Sequence, residues 1–236
     1  INLGWRGMVG IIGYIGEEEA KPILLQGLKN LESMDYDSLG LATLSDRLFI
    51  AKSVGKLDGA IDDLLKEFEG NIGIAHTRRA THGHICVANA HPHTDCKNRV
   101  AIVHNGVIEN HKELKEELLS RGHIFTSSTD SEVIAHLIEE GLKAGRSFIA
   151  ACMDAFKRLQ GCYALLVISP DARRLVAFRK DLPLVVGVAE GGIIFASDAS
   201  VLLQWTPKMI YLQNNDVAVA CKKELVLRNL IDGEEE

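Results

Sequence analysis

An α+β fold of antiparallel sheets and segregated helices is predicted by three features of the chain. Short strand-like apolar stretches open it, three helical periods follow in series near its middle, and strand-like stretches close it. Alternating βα units are too few for a parallel doubly wound sheet. The 236 residues suffice for one large core, and 47% hydrophobic with 25% charged residues excludes the disordered and fibrous classes.

Taken in order, Gly10 to Gly16 is apolar and glycine-punctuated, which predicts a buried strand with close backbone contacts on at least one side. Residues 19 to 33 place Ile23, Leu24, Gly27, Leu28 and Leu31 at helical spacing, with Pro22 near the first turn. The stretches 39 to 44 and 47 to 54, parted by Ser45-Asp46, predict a hairpin, and a short helix is expected at about 57 to 68. Residues 71 to 76 and 100 to 104 predict strands that each end on a histidine, His76 and His104, before a polar, glycine-containing turn. Helices are predicted at 111 to 121, 130 to 143 and 147 to 159, the last two capped by Asp130 and Ser147. Strands follow at 162 to 169, 174 to 180, 184 to 189, 192 to 197, 208 to 212 and 216 to 220.

The net charge of −6 argues against nucleic acid or an anionic membrane as the main partner. No apolar run approaches the roughly 20 residues of a membrane span, and the start has no signal-peptide core, so a soluble, cytoplasmic protein is expected. Cys86, Cys96, Cys152, Cys162 and Cys221 are odd in number and widely spread, which suits reduced thiols and lacks the tight spacing of a structural zinc site. Residues 1 to 8 read as a tag or upstream segment, 9 to 228 as one domain, and 229 to 236 as an acidic tail or the start of a linker.

Four motifs carry chemistry. His76-Thr77-Arg78-Arg79-Ala80-Thr81-His82-Gly83 gathers guanidinium, hydroxyl and imidazole groups. Arg78 can grip a carboxylate with its fork and Thr81 adds a neutral donor, although a solvated polar loop accounts for the same residues. Asn89-Ala90-His91-Pro92-His93 is the second motif. In His104-Asn105-Gly106-Val107-Ile108-Glu109-Asn110, Asn105 and Gly106 offer a side-chain amide beside an open backbone N–H, the pair an oxyanion needs. A type I′ turn explains Asn-Gly equally. In Ser128-Thr129-Asp130-Ser131-Glu132, Asp130 either receives a substrate ammonium or caps the next helix. Six of the nine histidines, at 76, 82, 84, 91, 93 and 104, match no simple helical ligand pair, so neither a metal nor a cofactor is expected.

In combination, G-I-I-G-Y-I-G, D-Y-D-S-x-G, H-T-R-x-A-T-H-G, N-A-H-P-H, H-N-G-x-I-E-N and T-D-x-E-V-I resemble the glutaminase domain of the glucosamine-6-phosphate synthase family, the glutamine:fructose-6-phosphate aminotransferases. The resemblance runs from about Met8 to the 220s. It implies a class II glutamine amidotransferase with the N-terminal-nucleophile hydrolase fold, a four-layer αββα sandwich of two antiparallel sheets. It implies L-glutamine as ligand, held by Arg78 and Thr81 at its α-carboxylate and by Asp130 at its α-amino group. Asn105 and Gly106 would form the oxyanion hole, His82 belongs to a loop that closes over glutamine, and His91 supports the site. In the family a terminal cysteine attacks the glutamine amide, and ammonia passes to a sugar-isomerase domain or subunit. Homo-oligomerisation is left open.

The family pattern fails at the nucleophile, because Val9 stands where it has cysteine. Met34, Asp35 and Arg79 also depart from it near the expected pocket. Three readings follow: the glutaminase half of an aminotransferase altered at its nucleophile, a pseudoenzyme that senses glutamine or binds a partner, and a metal-binding or generic hydrolase domain.

Overall fold

The computed structural model describes residues 10–31, 36–56, 65–79, 83–222 and 224–231. Two antiparallel sheets form its centre. The first contains β1 (Ile11–Gly16), β2 (Ser38–Leu44), β3 (Leu48–Val54), β4 (Ile72–Arg78), β9 (Val185–Ala189), β10 (Gly192–Ala196) and β11 (Met209–Tyr211), in the order β11-β9-β10-β1-β4-β2-β3. The second contains β5 (His93–Thr94), β6 (Ala101–Ile108), β7 (Gly161–Ser169), β8 (Arg174–Lys180), β12 (Asp216–Cys221) and β13 (Glu224–Asn229), in the order β13-β12-β8-β7-β6-β5. The helices are α1 (Ala20–Leu31), α2 (His111–Ser120), α3 (Glu132–Lys143), α4 (Phe148–Arg158) and α5 (Ala199–Leu202).

Strand periodicity sorts the apolar side chains into three cores, and these define four layers. Alternate residues of a strand face opposite sides of its sheet. In β1, Ile11 and Ile15 enter a core shared with Val103, Leu166 and Leu175 of the other sheet. Ile12 and Tyr14 face away, into a core with Leu24, Leu28 and Leu31 of α1. On the far side Val167, Val176 and Phe178 pack against Leu118, Ile134, Ile138 and Phe156 of α2 to α4. The expected αββα sandwich is therefore present, as helix, sheet, sheet, helix.

The glycine pattern of β1 has a packing cause. A Cβ on Gly13 would stand 2.7 Å from Leu166 Cδ1 and 3.1 Å from Leu175 Cδ1, so the missing side chain lets the two sheets approach.

The predicted elements are largely present, with specific differences. The hairpin at Ser45-Asp46 joins β2 to β3, and Ser147 caps α4 by accepting from Ala150 N at 3.3 Å. Of the helix expected at 57 to 68, residues 57–64 lie outside the described residues, and Leu65 to Glu67 form a turn. The strands expected to end at His76 and His104 continue to Arg78 and Ile108. Their polar residues stay in the ladder because Ser38 pairs with Arg78, and Tyr163 and Gly161 pair with Gly106 and Ile108. Asn105-Gly106 is therefore not a hairpin turn. Nor does Asp130 cap α3: the N-cap residue is Ser131, without a side-chain capping bond, and the Asp130 carboxylate is engaged elsewhere. Sequence periodicity missed β5 and α5, which are too short to show one, and β13, whose residues are mostly exposed or half-buried.

Candidate functional site

The candidate residues come from different elements that finish near one another. Gly10 N donates to Thr77 Oγ1 at 2.8 Å and Thr77 N donates to Gly10 O at 3.0 Å, so the start of β1 is tied to the end of β4. One residue further, Arg78 is buried and lies 3.8 Å from the Asp37 carboxylate, an ion-pair contact longer than a hydrogen bond. The Asp37 amide also donates to the Arg78 carbonyl at 2.8 Å. This places Asp37 and Ser38 of the D-Y-D-S motif beside the arginine. Arg79 is exposed, so its charge stays in solvent.

From β4 a row of buried histidines reaches the second sheet. The His76 and His91 rings stand 4.3 Å apart, His91 and His93 4.6 Å, and His91 and His104 6.3 Å. His104 Nδ1 meets Ser131 Oγ at 2.7 Å. Beside it, the Asp130 Oδ2 accepts from Ile108 N at 2.7 Å, two residues beyond Gly106 on β6. Arg78, Asn105, Gly106 and Asp130 are thus joined through His76, His91, His104 and Ser131. Val9, Thr81 and His82, with Met34 and Asp35, lie outside the described residues.

Gly106 requires its identity. Its φ is +123°, and a Cβ there would lie 2.1 Å from the Cys162 carbonyl oxygen. Only glycine holds this backbone within a paired strand, which leaves its N–H side uncrowded by any side chain of its own.

The sequence did not single out the residues that hold the Asp130 turn. Glu132 accepts from Thr126 N at 2.7 Å, Thr126 Oγ1 at 2.9 Å, Ser127 N at 2.7 Å and Ser127 Oγ at 2.6 Å. Burial works to raise its pKa, but these bonds and His136 hold it well below the usual carboxylate range. Asn89 ties the neighbouring loop to the same turn, donating to His84 O at 2.8 Å and accepting from Ser128 N at 2.9 Å. The N-A-H-P-H motif is therefore structural here: Asn89 is a tie, His91 a packed ring, and His93 Nε2 meets Thr129 Oγ1 at 3.1 Å. The T-D-x-E spacing was the available signal for Glu132, since a carboxylate two residues after an aspartate can turn back onto the preceding loop.

Burial drives His76 down to about 3, aided by His104 and by the Arg78 charge, and it drives His91 and His93 well below their ordinary value. Burial thus holds His76, His91 and His93 neutral. Lys52, also near the cluster, is lowered to about 8 by burial, against the pull of Glu132 and Cys86.

A stability prediction follows, with a definite sign. A histidine depressed from 6.5 to about 3 stays unprotonated in the fold while the unfolded chain takes up protons. Stability is therefore fully present above the unfolded value and falls as pH drops below it, by up to about 1.4 kcal/mol per pH unit for each such histidine. Chemical unfolding followed from about pH 7 to about pH 4 is expected to show this decline, and His91→Phe to flatten it. An unfolding midpoint constant over that range would contradict it.

The glutamine amidotransferase domain family matches residues 76–204. The chain is 46% identical over 229 residues to glutamine–fructose-6-phosphate aminotransferase (isomerizing) of Pyrococcus horikoshii, covering 96% of this chain and 38% of that protein. It is 42% identical over 229 residues to the protein of the same description from Bacteroides thetaiotaomicron, covering 94% and 37%. The chain thus spans somewhat over a third of these relatives. Among solved structures it is similar to the glutamine phosphoribosylpyrophosphate amidotransferase of B. subtilis, at 24% identity and a TM-score of 0.79 over 94% of this chain and 49% of that one. The sandwich is accordingly the N-terminal-nucleophile fold of the amidotransferases, and the chain belongs to the glutamine amidotransferase domain family.

Proposed function

We propose that this chain is the glutaminase part of a glutamine–fructose-6-phosphate aminotransferase, binding L-glutamine but lacking the nucleophile that cleaves it. One observation supports the reading: contacts among His76, His91, His104 and Ser131 link the chain neighbourhoods of Arg78, Asn105, Gly106 and Asp130, and Gly10 at the start of β1 is bonded to Thr77, the residue before Arg78. Arg78 takes the α-carboxylate together with Thr81, Asp130 takes the α-ammonium, His82 belongs to the closing loop, and Asn105 with the Gly106 N–H faces the side-chain amide oxygen. Val9 has no group able to attack that amide. The greater length of the relatives supports a sugar-isomerase domain or subunit as partner, with residues 9 to 228 as the amidotransferase domain.

Calorimetric titration with glutamine tests binding, and an ammonia assay tests turnover. Saturable binding without ammonia release is expected. Arg78→Ala is expected to weaken binding by about 100-fold, the range for losing one partner of a buried charge pair. Turnover by the unmodified chain would overturn the loss of chemistry, and equal affinity in Arg78→Ala would overturn the ligand assignment. A second reading, a pseudoenzyme that senses glutamine for a partner protein, is favoured by the same valine. It predicts that glutamine changes the affinity for that partner.

A further inference from the structure

A cysteine, two histidines and a glutamate meet at one point away from the glutamine-holding residues. Cys96 lies in the turn between β5 and β6, His123 follows α2, and His136 and Glu139 stand one turn apart on α3. One donor atom from each falls within 4.8 Å of all the others. His123, His136 and Glu139 are buried, while Cys96 is exposed.

The spacings are those of tetrahedral donors around one ion. Zinc bonds of about 2.0–2.1 Å to nitrogen or oxygen and about 2.3 Å to sulfur separate nitrogen and oxygen donors by about 3.3 Å, and sulfur from nitrogen by about 3.6 Å. Here His123 Nδ1 and His136 Nδ1 are 3.1 Å apart, and Glu139 Oε2 lies 3.0 Å from the first and 3.3 Å from the second. Cys96 Sγ is 3.7 Å from His123 Nδ1 and 3.6 Å from His136 Nδ1.

Outer contacts stand behind both rings, with Lys143 Nζ also 3.4 Å from His123 Nε2. His123 Nε2 faces Glu140 Oε1 at 2.8 Å, and His136 Nε2 faces Glu132 Oε1 at 3.6 Å, an ion-pair distance. Carboxylates behind the rings favour protons on Nε2, the usual support of a metal-bound histidine, and this turns both Nδ1 lone pairs inward. Two lone pairs, a carboxylate oxygen and a sulfur then converge, an arrangement that a cation between them would satisfy. Ile124 N donates to Cys96 Sγ at 3.4 Å, and Cys96 N donates to Glu139 Oε2 at 3.2 Å, so backbone donors steady both anionic ligands. Lys143 Nζ approaches the remaining oxygen, Glu139 Oε1, at 3.2 Å.

We propose that Cys96, His123, His136 and Glu139 bind one zinc ion in a closed, four-ligand structural site. Thiolate and carboxylate together balance the charge of the ion, and the mixed nitrogen, sulfur and oxygen set suits zinc over magnesium or calcium. The ion clamps the β5–β6 turn and the segment after α2 onto α3. Through Glu132, which faces His136 and also holds Thr126 and Ser127, the clamp steadies the turn that presents Asp130. Wide cysteine spacing in the sequence had argued against structural zinc. The fold overcomes that spacing by taking the ligands from three separate segments.

The test uses the whole chain and needs neither activity nor glutamine binding. Protein purified with zinc supplementation is expected to carry about one zinc per chain by elemental analysis. Chelation is expected to lower the unfolding midpoint by at least about 5 °C, with recovery on adding zinc. Cobalt substitution is expected to give tetrahedral d–d bands with a sulfur-to-cobalt charge-transfer band, which Cys96→Ser removes and Cys86→Ser retains. Because Cys96 is exposed, its serine variant tests the ligand without emptying the core. A folded, zinc-supplemented chain with negligible metal, or a charge-transfer band that survives Cys96→Ser, overturns the proposal.

Discussion

Replacing Val9 by cysteine, in a chain whose first residue is that cysteine, is expected to raise glutamine hydrolysis by on the order of 10⁴-fold or more, since removal of a covalent nucleophile elsewhere costs up to about 10⁶-fold. Both changes are needed. The thiol supplies the attacking atom, and the free terminal amine handles its proton. Around that position Gly10 is bonded to Thr77, Arg78 lies beside Asp37, and the Asp130 carboxylate accepts from Ile108 N. An oxyanion donor accounts for about 10²–10³ in rate, which is useful only once an oxyanion can form. Ammonia release measured under saturating glutamine checks the prediction. A folded cysteine-first variant that binds glutamine and remains silent would show that the Asn105–Gly106 pair is not positioned for chemistry.

Gly106→Ala is expected to destabilise the fold by about 3–5 kcal/mol, at the severe end for a single substitution. Its φ of +123° disfavours any side chain, which costs about 1–3 kcal/mol. The larger part is steric. The new Cβ would lie 2.1 Å from Cys162 O, 2.8 Å from Tyr163 Cα and 2.9 Å from Leu182 Cδ1, and the first two are backbone of the paired strand β7. Gly122 separates the two contributions, because its φ is +86° and a Cβ there meets nothing within 4 Å. Gly122→Ala is therefore expected to lower the unfolding midpoint by a few degrees, and Gly106→Ala by about 10 °C or more. Thermal unfolding followed by circular dichroism compares them, and equal midpoints would contradict the steric argument.

Apolar periodicity determined the order of strands and helices, because alternation by two and by three to four residues reflects which face of each element is buried. It placed the hairpin at Ser45-Asp46, the helix from Ala20 to Leu31 and the cap at Ser147 to within a residue or two. The family resemblance named Arg78, Asn105, Gly106 and Asp130 as one group, whereas their residue types alone left a polar loop, a turn and a helix cap as alternatives. The expectation of a lost nucleophile at Val9 rests on the family resemblance and on the chemistry of a valine side chain alone.

Other features depended on contacts between segments far apart in the chain. Polar residues after His76 and His104 looked like loops, yet cross-strand partners keep the buried Arg78 and Asn105 and the half-buried Gly106 in strand ladders. Asp130 looked like a helix cap, but β6 lies close enough for Ile108 N to claim its carboxylate. The grouping of Cys96 with His123, His136 and Glu139 was the least visible. Its one local trace is a histidine and a glutamate three residues apart on α3, a spacing common on helices, while the other two ligands arrive only when the sheet and helices pack. Local pattern reports what each segment buries. Packing alone decides which buried polar groups meet, because their separation along the chain bears no fixed relation to their distance in space.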